Sequence, residues 1–457
     1  MAFTPWTVFS DFAIIATLLL VGQLLRAKLK LIQGLYLPAA LIGGFIGLTL
    51  GPNGYGLLPL SNNMGTYAAI LIVLVFAAMP LGQEATSFSK VGERVGSMWT
   101  YGELTFLAQH AVAMILGLFV LTPFFSTPVG FGFMLPAGWV GGPGTAIAIG
   151  TTFTSYGWEE AMTLGMISAT TGILYGILGG VALIKYGAQK GYTNFISSFD
   201  NMPQELRSGL LAPQDFKSMG KETVSANVID PLMFNLGLIL LASGAGYLVT
   251  NKIAAWYPGL SLPVFAVAMI CGTILQYVLR KTGGAKYVDG DITNRIGSTC
   301  TDILVTFGIA SIKISLVVKY ALPLTVLILV GGVLYCTFMV FFVGPRMIKE
   351  NWFEKSMFSF GWATGVMATS MILLRIVDPK FKSKTLEDFA IAYIPMSVVE
   401  MLVVTFVPIA IMQGFAYHWT ALAVAGCLVV LFIAWRMKWI YRHGAKRYAE
   451  GVDKPAE

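Results

Sequence analysis

Apolar runs of membrane-crossing length, separated by short polar segments, fill most of the chain. A helix crosses a bilayer with about 20 predominantly apolar residues. On that measure the pattern predicts eleven spans, near residues 9–25, 34–51, 65–82, 98–122, 159–185, 229–250, 261–280, 297–318, 320–343, 388–413 and 418–436. No period-two alternation of short segments runs through the sequence, which disfavours a membrane β-barrel. Two further apolar stretches, about 129–155 and 356–375, do not read as plain spans. The first holds Leu135-Pro136-Ala137-Gly138-Trp139-Val140-Gly141-Gly142-Pro143-Gly144-Thr145-Ala146, rich in the two worst helix formers. The second holds Gly361-Trp362-Ala363-Thr364-Gly365. Broken backbone at bilayer depth is tolerated where protein buries it or where it lines a wet cavity. Its freed N–H and C=O groups can then bind ions and polar solutes. Each stretch is expected to be a re-entrant loop, entering and leaving by one face.

Composition supports a polytopic all-α membrane protein. The 457 residues are 56% hydrophobic and 12% charged, against roughly 25% charged in soluble domains. Mean hydropathy is +0.73. The net charge of +7 does not indicate nucleic acid, because the basic residues are scattered in short loops between spans. With the N-terminus outside and both broken stretches re-entrant, all Lys and Arg except Lys252, Lys313 and Lys319 fall on the cytoplasmic side. That is the positive-inside bias of a bacterial inner-membrane protein with a cytoplasmic C-terminus. The first residues show neither a basic n-region nor a small-residue cleavage site, so the first span is expected to be retained. Cys271, Cys300, Cys336 and Cys427 lack metal or disulfide spacing and read as buried thiols.

Three short echoes occur in the same order along the chain. Leu35-Tyr36-Leu37-Pro38 recurs as Leu260-Ser261-Leu262-Pro263, Gly138-Trp139 as Gly361-Trp362, and Trp158-Glu159-Glu160 as Leu386-Glu387-Asp388, at offsets of 225, 223 and 228 residues. They predict two inverted repeats of five transmembrane helices, each with one re-entrant loop. The first is 1–190, with its loop at 129–155. A cytoplasmic linker follows at 191–228, and the second repeat is 229–413, with its loop at 356–375. The remainder, 414–457, is expected to be an extra transmembrane helix with a basic tail suited to anionic membrane lipids.

The candidate chemistry gathers at the loops. Na⁺ needs several oxygens, and Thr145, Thr151, Thr364, Thr369 and Ser370 offer hydroxyls beside freed carbonyls. Helices starting after each break would turn N–H groups toward a carboxylate, which makes Gly141, Gly142, Pro143, Gly144, Thr145, Gly361, Thr364 and Gly365 solute-binding candidates. Charges within apolar spans are costly. Arg375 is a candidate for a solute carboxylate, and Lys313 for an anion or simply for the outer face. Glu400, in Ser-Val-Val-Glu-Met-Leu, is a candidate coupling site. Glu103 and Asp302 lie near span ends, and Gln83-Glu84 reads as an interface anchor. His110, His418 and His443 have no metal spacing. No Gly-x-Ser-x-Gly or phosphate-cradling loop appears, so hydrolytic and ATP-driven chemistry have no support.

The chain resembles the bacterial sodium–glutamate symporters. The resemblance rests on Leu37-Pro38 with Gly43-Gly44, Gly141-Gly142-Pro143-Gly144-Thr145-Ala146, Tyr156-Gly157, Gly365 to Thr369, and Pro395-Met396. It implies Na⁺-coupled uptake of L-glutamate or a related small carboxylate, an elevator-type mechanism, a homodimer and no organic cofactor. Several positions depart from the family pattern. Pro143 stands where the family has His, and Ala146 where it has Gly. Gly361-Trp362 replaces a Gly-His pair, Pro38-Ala39-Ala40 replaces Pro-Glu-Pro, and the eleventh span is extra. Proton coupling through Glu400 or Glu103, an exchange-type carrier of another organic anion and a passive channel are the alternatives.

Overall fold

The computed structural model describes residues 4–35, 37–82, 93–195, 208–211, 213, 216, 218–256, 262–378 and 381–441. Among these residues there is helix almost throughout and no strand. Helices α1 (Pro5–Lys28), α2 (Lys30–Leu35), α3 (Ala39–Leu50), α4 (Met64–Ala78) and α5 (Glu93–Leu116, continued without a loop to Phe125) come first. A broken pair follows, α6 (Met134–Trp139) and α7 (Gly142–Ser155), then the long α8 (Ala161–Gln189). The second half runs α9 (Pro231–Trp256), α10 (Val264–Thr282), α11 (Gly290–Ala310), the short α12 (Ile314–Lys319) and α13 (Ala321–Met347). A second broken pair, α14 (Trp352–Thr364) and α15 (Met367–Val377), precedes α16 (Thr385–Ala410) and α17 (Ala416–Arg436). Seven helical stretches are long and apolar enough to cross a membrane, and α3 and α4 are shorter apolar helices. The protein is a polytopic helical membrane protein.

Local chemistry sets the ends. Thr4 and Thr7 form a reciprocal capping box ahead of Pro5, which starts α1. Asp289 caps α11, accepting from the N–H groups of Asp291 and Ile292. Pro38 interrupts the predicted span 34–51, because proline disfavours helix in the residue before it. The predicted span 297–318 also needs correction. α11 stops at Ala310, where the Ser311 hydroxyl turns back to the Gly308 carbonyl at 2.7 Å. Lys313 is therefore an exposed residue between α11 and α12, not a charge within a span.

The runs 388–413 and 418–436 join at Gly414, which takes φ 91° inside a π-turn. Ile411 lies at Gly130, just past the end of α5, whereas Trp439 lies over Gly96 near its start. The chain therefore reverses at Gly414.

Packing divides the helices into two groups. α1, α3, α4, α9, α10 and α11 pack chiefly with one another, as do α5 to α8 with α13 to α17. The groups meet where α7 and α8 lie against α4 and α11, with Gly144 at Ile72 and Gly308 at Met166 and Ile147. Leu240, Leu241 and Leu248 of α9 and Leu428 and Phe432 of α17 are exposed, as befits faces whose solvent is lipid. One buried charge in the first group is fully served. Asp11, 0% exposed, accepts from the Ser61 N–H, the Ser61 hydroxyl and the Tyr67 hydroxyl, which ties the loop after α3 to α1. The linker motif Asn201-Met202-Pro203-Gln204, Gln83-Glu84, Leu260-Ser261 and residues 442–457 of the basic tail lie outside the described residues.

Candidate functional site

Both breaks form at residues that disfavour helix, glycine with proline at the first and glycine at the second. α6 ends at Trp139, and α7 begins at Gly142 with Pro143, which has no N–H, in its first turn. Gly142 takes φ +68°, a conformation that glycine adopts without steric cost. α14 ends at Thr364, and Gly365 and the extended Val366 separate it from α15.

The 29-residue helix α8 acts as a ruler for both breaks. Its length is roughly 43 Å at 1.5 Å per residue. A Cβ placed on each glycine gives the spacing. Gly150 of α7 lies 2.5 Å from Met162, Gly165 3.1 Å from the Ala146 carbonyl oxygen, and Gly138 of α6 2.4 Å from the Ala169 nitrogen. Both limbs of the first pair thus run beside the first half of α8. Farther along, Gly176 lies 2.5 Å from the Thr364 hydroxyl and 3.1 Å from Thr369, Gly180 2.7 Å from Leu373, and Gly187 2.2 Å from the Phe353 ring. Both limbs of the second pair run beside the second half. Gly172, between them, touches Trp139 from one tip and the Thr364 carbonyl oxygen from the other. The tips also meet directly, because a Cβ on Gly142 would lie 2.7 Å from the Gly365 carbonyl oxygen.

Thr145 folds back over Gly141 and is buried. A Cβ on Gly361 would lie 2.6 Å from the Ser370 backbone, so α14 packs closely onto α15. Thr364, Gly365, Thr369 and Ser370 are thereby gathered at one tip, with Gly141 to Thr145 at the other. The hydroxyls of Thr369 and Ser370 are buried and have no hydrogen-bond partner among the described residues. Buried polar atoms are nearly always paired, so these oxygens are suited to an ion or a polar solute. Among the described residues no three His, Cys, Asp or Glu side chains converge as metal ligands. Any cation held at the tips would rely on neutral oxygens.

Four of the predicted residues are not at the tips. Thr151 sits nine residues along α7 from Gly142, roughly 14 Å, although its buried hydroxyl also lacks a partner. Arg375 lies eight residues into α15, roughly 12 Å from its start, with its guanidinium over the Phe381 ring. Lys313 stands with Lys319 on the side of Glu160, whose carboxylate Lys319 binds at 2.7 Å. Glu400 lies on α16 and accepts from the Tyr393 hydroxyl at 2.7 Å.

Residues that the sequence did not single out complete the site. The Gln109 amide of α5 donates to the Ala363 carbonyl at 3.2 Å and leaves its own oxygen buried without a partner. Tyr175 of α8 stacks on Trp139 at 5.6 Å and bonds Thr337 of α13 at 2.7 Å. Below the second tip, Lys355 of α14 pairs with Asp388 of α16 at 2.9 Å, with side chains 1% and 0% exposed. The Glu354 carboxylate beside it accepts from the Asn194 N–H at 2.7 Å. The adjacent Gln109-His110 in an otherwise apolar run was the available signal for Gln109. Lys355 and Asp388 had none, because each reads as an ordinary loop-flanking charge.

Two interrupted helices meeting beside the middle of a long apolar helix are the arrangement expected of a secondary transporter. The sodium/glutamate symporter family matches residues 6–383, a stretch that includes both breaks, and the chain belongs to that family. It is accordingly a transporter rather than an enzyme, with Na⁺ as coupling ion and no organic cofactor. A comparison with curated proteins finds no match.

Proposed function

We propose that the chain carries L-glutamate or a closely related small carboxylate into the cell with Na⁺, binding both where the two breaks meet. The observation that carries this reading is the approach of Gly142 to Gly365 beside Gly172, near the middle of α8. The starts of α7 and α15 would offer backbone N–H groups and the positive ends of their dipoles to the carboxylate. Na⁺ would draw on Thr145, Thr364, Thr369 and Ser370 together with carbonyls freed at the ends of α6 and α14. This reading gives recognition to backbone and hydroxyls rather than to Arg375 or Lys313.

Each broken pair is read as a re-entrant loop, since both of its limbs share one half of α8. The order α1, α3, α4, α5, broken pair, α8 is matched by α9, α10, α11, α13, broken pair, α16, which supports two inverted halves with α17 added. The two packing groups support an elevator mechanism. α1, α3, α4, α9, α10 and α11 would form the fixed scaffold and the homodimer interface, and the other group would carry the solute. The charge bias of the loops favours an inner-membrane protein with its N-terminus outside and its C-terminus in the cytoplasm. A thermal-shift screen of amino and organic acids tests the binding claim. L-glutamate or a related carboxylate should raise the melting temperature in Na⁺ and not in choline. Equal shifts in both, or no shift with any carboxylate, would overturn it.

A further inference from the structure

α17 lies along α5 and runs antiparallel to it, with Gly426 at Leu107 and Trp439 over Gly96. α16 flanks the same part of α5, where Met396 packs on Gly102. The three helices enclose Glu103, which is 3% exposed. Neither of its carboxylate oxygens has a hydrogen-bond partner among the described residues. Glu400, one turn beyond Met396, lies within electrostatic reach of Glu103 and takes the Tyr393 hydroxyl as donor.

Among the described residues, the other titratable groups around Glu103 supply no counter-charge. Cys427 approaches from α17. On α13, Tyr335 donates to the Thr105 carbonyl, and Cys336 accepts from Gln109. On α5 itself, Tyr101 donates to the Met339 carbonyl, and the His110 Nδ1 is bonded to the Phe106 carbonyl. Lys355 on α14 is paired with Asp388, and Glu354 is held by Asn194. Two ionised carboxylates within electrostatic reach of each other among apolar helices are strongly unfavourable. A single proton on either carboxyl removes the conflict, and the coupled pair then titrates as a unit.

We propose that Glu103 and Glu400 form a proton-binding site, separate from the helix breaks, that holds one exchangeable proton between α5, α16 and α17. A route links this site to the second break. Tyr393, the donor to Glu400, meets the Trp362 ring edge-on at 6.2 Å, and Trp362 lies two residues before Thr364. Loss of the shared proton changes what Tyr393 binds and hence the packing under that tip. The binding of the proton does not depend on the solute reading, so it is tested without solute.

The test is infrared difference spectroscopy of the full chain in lipid nanodiscs, stepped from about pH 5 to about pH 9, reading the carbonyl stretch of a protonated carboxyl. The wild type should show a band that falls as pH rises. Glu103→Gln and Glu400→Gln, both close in shape to the native side chain, should each remove that band or move its midpoint by more than about one pH unit. Glu159→Gln, at an exposed position, should leave it unchanged. A wild type with no such band would overturn the proposal. So would an unchanged band in both Gln variants when these elute as the wild type does.

Discussion

Gly142 and Gly365 face each other so closely that a methyl group on the first would lie 2.7 Å from the carbonyl oxygen of the second. Neither residue has a side chain, so two backbones converge where Gly172 of α8 receives both tips. On the proposed reading, this convergence explains how an uncharged stretch can serve as the binding site. The ligands it would offer are peptide groups and hydroxyls.

Gly142→Ala should uncouple transport from folding. The new side chain must adopt φ +68° and intrude on Gly365, a local strain of about 1–3 kcal/mol. Uptake by reconstituted protein should fall about tenfold or more, since about 1.4 kcal/mol is a factor of ten. The melting temperature should drop only modestly. Uptake at the wild-type rate would show that the tips do not need this close approach.

Gln109→Leu should destabilise the second tip. It removes the donor to the Ala363 carbonyl and leaves a buried acceptor unpaired, at a cost of about 1–3 kcal/mol. Melting in detergent should report the loss, and added solute with Na⁺ should restore less stability than it does to the wild type.

The Lys355–Asp388 pair gives a double-mutant test. Lys355→Met removes the cation from the buried Asp388 carboxylate, and removing one partner of a buried pair costs about 3–5 kcal/mol. The double variant Lys355→Met/Asp388→Leu should recover most of that loss in a thermal or denaturant melt. Equal damage in single and double variants would mean that the pair holds more than its own charges.

Acid sensitivity should appear at Asp289. Burial raises the affinity of its carboxyl for a proton, but N–H bonds from Ile292, Lys221 and Asp291 and the Lys221 charge outweigh that. The folded carboxyl therefore titrates below its ordinary value of 3.8. Its stabilising effect is complete above the ordinary carboxylate range and is lost as pH falls through the lowered folded value. Asp289→Asn should be less stable than the wild type at neutral pH. The gap should close as a melting series descends below about pH 4.

The sequence reading and the structure agree where the signal was periodic or compositional. The apolar runs marked the membrane class, glycine with proline marked the first break, and the Gly361-Trp362-Ala363-Thr364-Gly365 echo marked the second, each within a few residues. Helix ends set by side-chain caps were less legible. Ser311 stops α11 before Lys313, and nothing in the apolar run around it announced that turn. Long-range partners were invisible for a different reason. Lys355 and Asp388 are 33 residues apart and read as surface charges, until α14 and α16 bring them together in the interior. Gln109 likewise gained meaning only when α5 was seen to pass the end of α14.

The most direct test of the central claim is uptake of labelled L-glutamate by proteoliposomes under an inward Na⁺ gradient. Wild-type protein should accumulate the label, replacement of Na⁺ by choline should abolish accumulation, and Gly142→Ala should reduce it about tenfold or more. Uptake that is indifferent to Na⁺, together with a fully active and stably folded Gly142→Ala protein, would contradict a Na⁺-coupled carboxylate site at the meeting of the two breaks.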